Sequence, residues 1–190
     1  IDTDKFSPKT TCEDVVKEFN LKENENRIVY VSRMDESRAL VAKQLIEITP
    51  DLDKEIENLK IIIVGGGDVF DKLKAMADGV NKGLGRECII MTGSRVDINR
   101  RIMAGKIFVG VSRAALEAMS AAKPTIVAGN EGYIGLFSKD NLEVSQETNF
   151  CCRGCLMSEE EMLKRDIVYA MNELSDAERA ELGAYGREVI

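Results

Sequence analysis

Apolar residues fall into two alternating arrangements along the chain. Short, almost unbroken apolar runs occupy 27–32 (RIVYVS), 59–65 (LKIIIVG), 87–92 (ECIIMT), 106–111 (KIFVGV) and 124–129 (PTIVAG). Without polar alternation, such runs predict strands covered on both faces, as in a parallel sheet. Between them apolar residues recur at helical spacing. These stretches run from about Glu36 to Ile48, from Val69 to about Val80, from Ile98 to Met103, and along SRAALEAMS from Ser112. Strand alternating with helix predicts βαβ crossovers: an α/β fold with a Rossmann-like parallel sheet and helices on both faces. Past Gly135 the pattern weakens, and 139–157 reads as irregular or strand-containing. Two helices are expected after it, from Ser158 to Leu174 and from Asp176 to about Glu188. Their SEEE and SDAE openings place acids on the first turn, where the helix dipole favours them.

Composition narrows the function. The 190 residues suit a single domain, 44% apolar and 31% charged, with a net charge of −7. An acidic chain argues against nucleic acid or an anionic membrane as partner, but a small phosphorylated ligand needs only two or three local cations. No apolar run approaches the roughly 18 residues of a membrane span. Histidine is absent, which removes the commonest general base and most zinc chemistry. The five cysteines are odd in number, with three gathered in CCRGC (151–155). This is no disulfide framework and fits a reducing, cytoplasmic compartment. With no fourth ligand at metal spacing, the cluster reads as small loop residues, and no metal or other cofactor is expected. The first ten residues show no signal peptide and the chain opens on isoleucine, which suggests a piece of a longer protein.

In a sheet of this kind ligands bind beyond the C-terminal strand ends, so the loops after 32, 65, 92, 111 and 129 hold the candidates. VSRMDESR offers Arg33 and Arg38, two permanent cations able to converge on one anion, or else surface charges paired with Asp35 and Glu36. GGG at 65–67 supplies Gly66 and Gly67. A dinucleotide fingerprint would also need glycine at 70, where the chain has Phe70, and an acid about 20 residues on. A tight turn is the plainer reading, and a nicotinamide- or flavin-dependent oxidoreductase stands as the alternative. Ser112 sits where a helix N-cap is wanted. Arg113 follows on the first turn, where the dipole disfavours a cation by roughly 0.3–1 kcal/mol unless an anion is bound there. Glu117 lies one turn on, on the same face, placed either to accept ribose hydroxyls or to form a plain i,i+4 ion pair. AGNEGYIG brings Gly132 and Gly135, which permit close backbone approach to a ligand or simply a mobile loop.

Taken together, these segments resemble the C-terminal, donor-binding half of retaining glycosyltransferases of GT-B fold, over roughly residues 1–135. VSRMDESR is similar to the family's Gly-Arg segment, with Ser32 for the glycine and Arg38 for the usual lysine. LKIIIVGGG is similar to its second strand and turn, and IIMTGSRVD to the base-contacting loop. ALEAMSAAKPTIVAGNEG resembles its Glu-Ala-Met helix and Lys-Pro strand. The resemblance implies one nucleotide-sugar-binding domain over 1–190. Within it, 1–26 would be a linker and N-terminal segment, 27–135 the βα core, and 136–190 an irregular segment with C-terminal helices. It also implies an upstream acceptor-binding domain outside this chain. Carried over, Arg33 and Arg38 would bind the diphosphate, Glu117 the ribose, and Gly93, Ser94, Arg95 and Val96 the base. The helix start at Ser112 and Arg113, where this chain departs from the family, would add diphosphate contacts by its own geometry. The donor would be an NDP-sugar, in first place a UDP-sugar, used in cell-envelope or polysaccharide synthesis. The fragment alone would bind nucleotide without transferring sugar. The family's second glutamate, eight residues before the first, is Val109 here, which leaves a non-catalytic nucleotide-binding module as a further alternative.

Overall fold

The computed structural model describes residues 1–190. Five strands fall where the apolar runs lie: β1 Asn26–Val31, β2 Leu59–Val64, β3 Ile89–Met91, β4 Ile107–Gly110 and β5 Thr125–Gly129. A sixth, β6 Gly132–Leu136, completes one sheet in the order β3-β2-β1-β4-β5-β6. The first five strands run parallel, and β6 returns antiparallel to β5. Ile28, Tyr30, Ile61 and Ile63 point to one face, beneath α2 (Leu40–Glu55), α3 (Phe70–Leu84) and α7 (Glu160–Val168). Val29, Ile62, Val64 and Phe108 point to the other, beneath α1 (Glu13–Glu18), α4 (Ile98–Met103) and α5 (Ser112–Ser120). Side chains that alternate in direction are thus all buried, which is why the strands read as unbroken apolar runs.

The helices depart from expectation where distant contacts intervene. The α2 helix starts at Leu40 rather than Glu36, because the Asp35 carbonyl takes the N–H groups of Arg38 and Ala39 into a turn. The Leu40 amide is then capped from afar by the side-chain oxygen of Asn130 at 3.1 Å. The helix runs through Pro50 to Glu55, past the expected end at Ile48, with Leu52 and Ile56 closing the core. Ser158 does not cap α7; its hydroxyl donates to the Gln44 side chain inside the protein. A π-helical turn, Tyr169–Glu173, follows α7. The last helix, α8 (Asp176–Val189), does start as SDAE suggests, with Ser175 accepting from the Glu178 amide. Between β6 and α7 lies α6 (Leu142–Glu147), then a loop with Asn149, Phe150 and Cys152 at φ of 51°, 59° and 65°.

One alternative is overturned. The glycine-rich GNEGYIG is no mobile loop: Asn130 and Glu131 form a two-residue hairpin turn, and Gly132 and Gly135 lie inside β6. A Cβ at Gly132 would come within 2.2 Å of the Cys152 carbonyl, so glycine there lets the 150–156 loop dock on the sheet. Gly135, at φ +96°, faces Asp166 beside a bulge in the pairing. The stretch 1–26, expected as a linker and N-terminal segment, contains α1 and buries Phe6, whose carbonyl accepts from the Ser120 hydroxyl at 2.6 Å.

Candidate functional site

From β1 the chain moves outward one way through β2 and β3, and then back past β1 to β4 and β5. The loops leaving β1 and β4 therefore part, and the crevice that opens there is where sheets of this type bind ligands. It contains two connected hollows, of about 760 Å³ and about 640 Å³, which share Val31, Ser32, Arg33, Arg113 and Ala114.

The first hollow gathers Gly66, Ser94, Arg95, Val96 and Glu117. Glycine is required on its floor. Met34 donates its amide to the Gly66 carbonyl and accepts from the Val69 amide, so the β1 and β2 loops interlock. A Cβ on Gly67 would meet the Met34 carbonyl at 2.5 Å. The glycine triplet thus acts as a docking turn, with Gly66 against Ser94. Gly93, at φ +73°, pairs with Gly65 and does not line the hollow. Arg95 lines it, but its guanidinium is turned to Glu18 at 3.0 Å. Glu18 also grips Arg101 at 2.9 Å, and the Arg101 guanidinium holds its carboxyl below the usual carboxylate range. This clamp fixes the 94–97 loop to α1 and leaves Val96 as an apolar side chain, 93% exposed, on the rim.

Glu117 is buried on α5, with its Oε1 accepting from Arg113 Nε at 2.9 Å. The ion pair does not close off the residue's other oxygen. The ion pair exists, and Oε2 accepts from no protein donor while the residue lines the hollow.

The second hollow gathers cations: Arg33, Arg38, Arg113 and Arg153. Arg33 and Arg38 are exposed, and neither enters an ion pair, with Asp35 or Glu36 or any other carboxylate. The Arg38 turn is held rigidly, since its carbonyl accepts from the hydroxyls of Ser32 at 3.1 Å and Tyr30 at 3.4 Å. Ser112 is not the cap that was expected. Only Val111 separates β4 from α5, so the chain must reverse at once, and Ser112 does so as the first helical residue with φ +54°. Its amide is already given to the Phe150 carbonyl at 2.6 Å. The amides free to face an anion are those of Arg113 and Ala114, which have no carbonyl one turn back in the helix.

Asn130 and Glu131, from the GNEGYIG stretch, also line this hollow, as do Cys151 and Arg153, which sequence reasoning did not place there. The signal was weak, because the hairpin tip and the CCRGC loop meet only in three dimensions. Burial pushes the Cys152 thiol up to about 12, so it is no nucleophile. No three His, Cys, Asp or Glu side chains are arranged to hold a metal ion. A larger hollow of about 990 Å³ beside α7 and α8 has five carboxylates against two cations and is unsuited to phosphate. No helix is long and apolar enough to cross a membrane.

Comparison with known proteins bears on the family and the fold. The family model described as Glycosyl transferases group 1 matches residues 25–150. A glycosyltransferase from Rickettsia africae superposes with a TM-score of 0.73 at 17% identity, over 100% of this chain and 50% of that one. HepE from Anabaena, in complex with UDP-glucose, gives 0.69 at 17% identity over the same shares. The C-terminal domain of a group 1 glycosyl transferase, LpcC, from Francisella tularensis gives 0.68 at 16% identity, over 100% of this chain and 95% of that one. The chain thus spans about half the length of the two longer structures. The fold is one Rossmann-like half of a GT-B glycosyltransferase. No curated protein matches the sequence significantly.

Proposed function

The chain belongs to the group 1 glycosyl transferases, and we propose that it is the half that binds the sugar-nucleotide donor, in first place a UDP-sugar. The observation that carries this reading is the shared crevice: two unpaired guanidiniums, Arg33 and Arg38, and the first turn of α5 lie next to buried Glu117. Arg33, Arg38 and the Arg113 and Ala114 amides hold the diphosphate. As the glycosidic bond breaks, negative charge grows on the leaving diphosphate, and these preorganised donors offset it. Oε2 of Glu117 accepts from the ribose hydroxyls, and Val96 lies against the base. The acceptor half is supplied by a further domain, so the isolated chain binds donor without transferring sugar. The acceptor belongs to cell-envelope or polysaccharide synthesis, and the free thiols fit a cytoplasmic site.

Glu117→Gln tests the ribose assignment. A hydrogen bond to a charged acceptor contributes about 1.5–3 kcal/mol, so UDP affinity should fall about tenfold or more, while 2′-deoxy-UDP loses distinctly less. Equal losses for both nucleotides, measured by calorimetry, would show that Glu117 does not touch the ribose.

A further inference from the structure

The second hollow is rich in donors and poor in acceptors. Four arginines and the Ser32, Ser37 and Ser112 hydroxyls line it, and Glu131 is its only carboxylate. No acid enters from β4, where Val109 is fully buried. A sugar presents hydroxyls that need strong acceptors, and a carboxylate is the strongest side-chain acceptor at neutral pH.

Glu131 is built into place from two sides. It occupies the tip of the β5–β6 hairpin, whose other turn residue, Asn130, is tied to the α2 N-terminus. Arg153 reaches it from the CCRGC loop and donates through Nε at 3.1 Å and Nη2 at 2.9 Å, both to Oε1. Oε2 is left with no protein donor. The loop behind Arg153 is fixed: Cys152 and Gly154 take positive φ, the Cys155 amide closes a turn on the Cys152 carbonyl, and the Tyr133 amide holds the Leu156 carbonyl. Exposed ion pairs contribute little stability, and at side-chain exposures of 77% and 47% this one is an orienting device.

We propose that Glu131 accepts hydroxyls of the donor sugar and so sets sugar specificity, with Arg153 as its positioning residue. The proposal rests on the donor-binding reading above and deepens it. It also gives the CCRGC segment a role: buried Cys152 and half-buried Cys151 and Cys155 are the small residues of a loop that aims Arg153.

The test is calorimetric titration of the 190-residue chain with UDP, UDP-glucose, UDP-galactose and UDP-N-acetylglucosamine. At least one sugar nucleotide should bind about tenfold tighter than UDP, a difference of about 1.4 kcal/mol. Glu131→Ala and Glu131→Gln should erase that increment and leave UDP affinity and melting temperature unchanged. Arg153→Ala should remove part of it, and Arg153→Lys should restore most. An intact increment in both Glu131 variants overturns the proposal, as does an equal loss for UDP. Wild-type chain that binds UDP but no sugar nucleotide more tightly overturns it alone, whereas failure to bind UDP at all overturns the donor-binding reading beneath it.

Discussion

Replacing Arg33 and Arg38 together by alanine should weaken UDP binding at least a hundredfold, with uridine binding nearly unchanged. Each guanidinium is exposed on the second hollow and has no carboxylate partner in the fold. A charge-assisted hydrogen bond contributes about 1.5–3 kcal/mol, so two together contribute about 3–6 kcal/mol. At 1.4 kcal/mol per decade that is about two to four orders of magnitude in Kd. Since neither side chain stabilises the fold through an ion pair, the melting temperature should stay within a degree or so. Arg38→Ala alone should already separate nucleotide from nucleoside. If UDP and uridine lose affinity equally, the arginines do not contact phosphate.

The largest effect on stability is expected from Gly65→Ala. Gly65 takes φ +139°, and a Cβ there would lie 1.7 Å from the Ser32 carbonyl oxygen. The conformation is one that essentially only glycine adopts, and the obstacle is backbone on the neighbouring strand end. Relief requires parting the β1 and β2 loops that Met34 ties together, so a loss above about 4 kcal/mol is expected, in the range of severe core mutations. Gly79→Ala is the control. An added Cβ meets nothing within 4 Å on α3, and removing glycine from a helix interior gains about 0.5–1 kcal/mol. The urea midpoints of the two variants should move in opposite directions. An unchanged midpoint for Gly65→Ala would contradict the interlock.

These two cases show what the sequence revealed and what it hid. The five parallel strands were legible because both their faces are buried, which makes their apolar runs continuous. The sixth strand was hidden by its glycines: Gly132 and Gly135 look like loop residues until the Cys152 carbonyl and Asp166 are packed against them. The start of α2 was misplaced because its cap, Asn130, stands 90 residues away. Arg33 and Arg38 were legible as candidates because strand-end loops of this fold face the crevice, and Glu117 because it lies one turn into the helix that follows such a loop; their roles came from the family resemblance. Arg95 was assigned to the base, yet its guanidinium is held by Glu18, 77 residues earlier. Ser112 looked like a cap from its place between strand and helix, but a single-residue connection leaves no room for one. Glu131 and Arg153 could not be paired from sequence, since a hairpin turn and an irregular loop bring them together.

The most direct test of the central claim is calorimetric titration of the chain with UDP and, separately, with NAD. Saturable one-to-one binding of UDP without measurable binding of NAD is the expected result. NAD binding in the same crevice, with UDP failing to compete, would contradict it.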